Sequence, residues 1–193
     1  MCHWIERLAL AACCFALLST PAHALAANKD LVIIDFGDRS RVAIHIAGTK
    51  VVAAYCDAQH VHHAVSVSPE VQAFIRRSDG LRFLLADPNA ATGLAMMIST
   101  VPSTATGGTG YCGAGNEDHV VLLRKTDNTI FLADRYLLQS CLRSITLDAD
   151  NPEDVMTGLS LDRAAFAVTF KLLGDPGQKT TTLRVRDGKF WRQ

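Results

Sequence analysis

The sequence predicts a mainly β domain, an antiparallel sandwich or small barrel with one or two short covering helices. Three observations predict it. Short apolar runs are punctuated by turn residues about every 8–12 positions. Several runs alternate strictly, as where Val42, Ile44 and Ile46 are interleaved with Arg41, Ala43 and His45. Finally, 49% of the 193 residues are hydrophobic, enough to bury a core and to exclude a disordered chain.

The chain opens on an address. Arg7 supplies a positive start, an apolar stretch runs from Leu8 to Leu18, Pro21 breaks it, and Ala22-His23-Ala24 is a small-x-small cleavage pattern. Residues 1–24 therefore read as a secretory signal, and 25–193 as a single β-rich domain, periplasmic or secreted. An alternative comes from Leu10-Ala11-Ala12-Cys13, a lipoprotein box that would leave the chain lipid-anchored at Cys13. After this leader no apolar run approaches the ~20 residues of a membrane-spanning helix.

Within the domain, strands are expected at 31–34, 42–46, 51–56, 81–85, 94–99, 120–123 and 130–133. Over the last 30 or so residues a three-stranded meander follows. Phe166, Val168, Phe170 and Leu172 share one face of its first strand, Leu183 and Val185 face inward from its second, and Asp187-Gly188 is a strong two-residue hairpin signal before Phe190-Trp191. A helix is predicted over Pro69–Arg77, with Ser68 as cap, Pro69 in the first position and Glu70 at the positive end of the dipole. A shorter helix is expected to open at Asn151-Pro152-Glu153-Asp154.

Cysteine placement suggests a staple. Without residues 1–24 the cysteines are Cys56, Cys112 and Cys141. A hairpin turning at Thr126-Asp127 pairs positions that sum to 253, as do 112 and 141, so a Cys112–Cys141 disulfide is expected. Cys56 is then left as a buried thiol. The competing reading makes Cys112 a nucleophile, flanked by small residues, with His119 as base and Glu117 beside it.

Residues 107–115 carry five glycines. Gly108-x-Gly110-x-x-Gly113 matches a dinucleotide fingerprint in letters only, because that mechanism needs a helix next and the following residues read as a strand. The segment reads instead as a loop presenting Gly108, Gly110, Tyr111, Gly113, Gly115 and Asn116 to a partner. His60, His62 and Asp57 form a weak candidate metal cluster, against the plainer reading of a solvated histidine-rich edge. Glu117, Asp118 and His119 are the densest titratable group, with Asp134-Arg135 expected across the hairpin from Glu117 and His119 as a structural ion pair. No cofactor motif is complete. Nineteen basic groups balance nineteen acidic ones, which argues against a nucleic-acid partner.

In size, export signal, cysteine pair and strand content the chain resembles small periplasmic β proteins that bind other proteins, such as lysozyme inhibitors and toxin immunity proteins. The lack of a complete catalytic motif, with the glycine-rich loop 107–115 beside a staple that would hold it rigid, points to a non-enzymatic domain that binds a protein or another cell-envelope component. The alternative is a small thiol-dependent hydrolase or transferase using Cys112 and His119.

Overall fold

The computed structural model describes residues 31–37, 41–47, 50–56, 61–103, 115–151, 154–173 and 179–193. Eight strands form the larger sheet: β1 (Leu31–Asp35), β2 (Arg41–Ala47), β3 (Lys50–Cys56), β4 (His62–Val67), β5 (Gly80–Ala86), β6 (Leu94–Pro102), β7 (Asn116–Thr126) and β8 (Thr129–Ser140). Their order is β1-β2-β3-β4-β8-β7-β6-β5, antiparallel except where β4 runs parallel to β8. Edge strands β1 and β5 lie beside each other, so the sheet curls into a nearly closed barrel. At the seam Gly37 adopts φ +77° against the Asp87 carbonyl, where a Cβ would stand 2.5 Å from the oxygen.

Helix α1 (Pro69–Arg77) has the predicted bounds, and for the predicted reason: Ser68 Oγ accepts from Val71 N at 3.4 Å. Val71 and Ile75 are buried in the barrel core with Ile34, Phe36, Val42, Ile44, Met97, Val121 and Leu123. Helix and side chains fill the interior. The void left there, about 10 Å³, is near the lower limit for a single water molecule.

The smaller sheet contains β9 (Ser160–Asp162), β10 (Ala167–Lys171), β11 (Thr180–Arg186) and β12 (Lys189–Arg192) in the order β12-β11-β10-β9. A second core joins it to the outer face of β5–β8. Leu84, Met96, Ile98, Val120, Leu122 and Leu138 meet Phe166, Val168, Phe170 and Leu183 there. The Asp187-Gly188 hairpin has both residues at positive φ, 53° and 72°, as a type I′ turn requires.

The mainly β class and the C-terminal meander are as expected, and three local expectations are corrected. The second helix is a 3₁₀ turn over Val155–Gly158, capped by the Asp154 carboxylate accepting from Met156 N at 3.1 Å. The strands expected at 120–123 and 130–133 are the middle of a strand of 11 residues and the first part of one of 12. Their polar ends, Asn116–His119 and Asp134–Ser140, hid the extension. Cys56 is half-buried, not buried, and stands opposite His62 at the end of the β3–β4 ladder.

Candidate functional site

Of the predicted site residues, Gly115, Asn116, Glu117 and His119 are described at the end of β6, β7 and β8 where the glycine-rich segment departs. That segment leaves β6 after Pro102 and returns to β7 at Asn116, and these two residues pair in register. One step further out, Ser103 N donates to the Gly115 carbonyl at 2.8 Å. Gly115 and Asn116 are thus the returning stem. Gly108, Gly110, Tyr111, Cys112 and Gly113 lie outside the described residues.

Below the stem, alternation along β7 separates the acidic pair. Asp118 faces the interlayer side, where it is buried and accepts a hydrogen bond from Thr100 Oγ1. Burial pushes its carboxyl above the ordinary 3.8, with the Thr100 hydroxyl and the charges of His119 and Arg82 pulling the other way. Glu117 faces the opposite side and accepts from Ser140 Oγ at 2.8 Å. Ser140 Oγ in turn accepts from Arg143 N at 3.1 Å, so the turn after β8 is tied to the start of β7.

His119 shares the face of Glu117, as expected from the strand period. It stands in register with Ser99, a fully buried hydroxyl that is 2.7 Å from Ser78 Oγ. Burial holds the imidazole below its ordinary 6.5; Glu117 opposes this and the charge of Arg135 reinforces it. The ring is therefore kept neutral, and its Nδ1 is buried without a hydrogen-bond partner among the described residues.

The expected ion pair between Asp134-Arg135 and Glu117/His119 does not form. Two bulges in the β7–β8 ladder shift the register, so that Asp134 faces Leu122 and Arg135 faces Val121. Asp134 instead joins the two sheets: one oxygen accepts from Phe190 N at 2.7 Å and the other from Arg135 N at 2.8 Å. The turn position and the same bulges together shift the β7–β8 register by four from the sum of 253. The turn pairs Thr126 with Thr129, and the ladder ends with Glu117 opposite Ser140. Cys112 lies outside the described residues, and the Cys112–Cys141 pairing with it.

The histidine-rich tract divides. His62 begins β4 and His63 stacks on the Tyr55 ring with centroids 4.8 Å apart, while Asp57 and His60 lie outside the described residues. Among the described residues no group of three His, Cys, Asp or Glu side chains could hold a metal. The dinucleotide reading fails on its context, since the glycine segment leads into strand β7 and not into a helix.

Sequence reasoning missed one feature entirely. A groove of about 610 Å³ opens at the far end of β7, between the Asp187-Gly188 turn, Asp87, Arg124 and Phe166. The Arg124 guanidinium lies directly on Gly188, leaving no space there for a Cβ. Its signal was the glycine of the I′ turn, which serves the hairpin and the arginine together. Among the described residues no helix is long and apolar enough to cross a membrane. No family model, curated protein or solved structure matches the chain.

Proposed function

We propose that the protein is an exported, non-enzymatic binding module that presents the 104–114 segment to a protein or other cell-envelope partner. The observation that carries this reading is the anchoring of both stems. Ser103 to Gly115, Thr100 to Asp118 and Ser140 to Glu117 tie the loop base to three strands. A pre-anchored loop loses less entropy on binding. A Cys112–Cys141 disulfide would complete the clamp.

The carboxylates of Glu117 and Asp118 already serve hydroxyl donors, which favours a structural role for them over acid–base work. The neutral His119 ring keeps the thiol-enzyme alternative in play, because a nucleophilic Cys112 needs an unprotonated base. One experiment separates the two readings. Alkylation of the oxidised full chain followed by peptide mass analysis should show Cys112 and Cys141 protected until reductant is added. Rapid labelling of Cys112 without reductant eliminates the stapled binder and puts the enzyme first. For the binding reading itself, capture from a cell-envelope extract should yield a partner that is lost with Tyr111→Ala and Asn116→Arg. Equal recovery by the variants rejects the loop as the contact.

A further inference from the structure

The smaller sheet has an outer face that no part of the described chain covers. Alternation along β11 sends Leu183 and Val185 into the interlayer core and exposes Arg184 and Arg186. Their register partners on β12 are Trp191 and Lys189, so the pairs Arg184/Trp191 and Arg186/Lys189 lie side by side on the outside. Lys171 of β10 adds another exposed cation, and Thr169 and Thr182 pair hydroxyls at 3.0 Å between them. The acidic groups nearby are peripheral. Asp187 sits in the turn, 93% exposed and 3.7 Å from Arg186 Nε. Asp162, on β9, accepts a hydrogen bond from Ala165 N.

We infer that this Arg184/Arg186/Lys189/Trp191 face is a docking surface for an acidic patch on a protein partner. Three considerations select that occupant. The chain is neutral overall, so these cations are not part of the general basic excess a nucleic-acid binder carries. Two of them are arginines, whose planar forks match carboxylates. The lone aromatic among them is a tryptophan, 48% exposed, and Trp with Arg is the pairing that dominates protein interface energetics.

Size sets the affinity class. Strands of 3, 5, 7 and 4 residues at ~4.8 Å spacing and ~3.3 Å rise give a face of roughly 300 Å². That is well below the ~800 Å² per partner of a stable complex, so the contact should be transient and salt-sensitive. This inference uses none of the loop residues and stands or falls independently of the loop-centred reading.

Trp191 is its own reporter. The sequence has two tryptophans, so a full-length Trp4→Phe chain carries Trp191 as the sole one. Titration with a glutamate-rich peptide at low salt should shift Trp191 emission to the blue, with affinity falling as salt rises. Arg184→Glu with Arg186→Glu should weaken binding about tenfold or more, while Lys50→Glu on β3 leaves it unchanged. Trp191→Phe should weaken binding, followed by anisotropy of a labelled peptide. Binding that is absent at low salt, or equally weakened by Lys50→Glu, overturns the proposal. Tighter binding of single-stranded DNA, heparin or anionic lipid vesicles at matched charge overturns the choice of a protein partner. A misfolded double variant would be seen by circular dichroism, and the salt and probe comparisons on the parent chain then decide. Loss of the extract partner through loop variants leaves this titration unaffected.

Discussion

Strands β6 and β7 on one side and strand β11 on the other are built on different plans. Over Leu94–Ile98 and Val120–Leu123 every side chain is buried, because one face lines the barrel and the other lines the interlayer core. β11 buries Thr181 and Leu183 on one face and exposes Arg184 and Arg186 on the other. The comparison teaches that an unbroken apolar run marks a wall shared by two cores, whereas alternation marks a sheet with one wet face. It also places polar function at the ends of the shared strands, since their middles offer no surface.

The largest expected effect tests whether the two cores act as one unit. Ile98→Ala on the interlayer side and Met97→Ala on the barrel side should each cost about 2–5 kcal/mol in urea denaturation. If β6 couples the cores, far-ultraviolet dichroism and Trp191 emission will report one transition for both variants; separate midpoints would break the shared-wall description. Next comes backbone conformation. Gly93 has φ +59° and its added Cβ would collide with the Lys125 carbonyl, so Gly93→Ala should cost about 1–3 kcal/mol. Gly80→Ala, whose Cβ meets only the Thr100 side chain at 3.8 Å, should stay within about 1 kcal/mol.

Smaller effects sharpen the contrast between the faces of β7. His119 has a folded-state pKa below its ordinary 6.5. The unfolded chain therefore takes up that proton more readily, and the linked stability is whole above pH 6.5 and lost as pH falls through the folded value. Thermal midpoints of the parent chain should drop between neutral pH and about 5, and those of His119→Gln should drop less. Asp118 has the opposite sign. Its carboxyl is raised above 3.8, so its linked stability is whole below that pH and lost as pH rises through the folded value. Asp118→Asn should gain on the parent chain as pH rises from acid to neutral, read from the same melts.

Much of this was legible in the residues. Ser68-Pro69-Glu70 announced the helix start, and Asp187-Gly188 announced the I′ hairpin. Val168 and Phe170 declared their shared face. The β7–β8 register was not legible, because each bulge adds a residue, Ala133 or Leu138, that nothing in local composition distinguishes from its neighbours. That slip relocated Asp134 from an expected ion pair to the stitch between sheets.

Local chemistry determined the helix start, the I′ hairpin and the middle of most strands: caps, turn glycines and hydrophobic period act over a few residues and are visible in them. Only the tertiary structure decided which polar groups meet. β4 pairing with β8 across 60-odd residues, the helix filling the barrel, and the basic outer face of the last sheet all depend on contacts between segments distant in sequence. Their energies come from burial that no single segment achieves by itself.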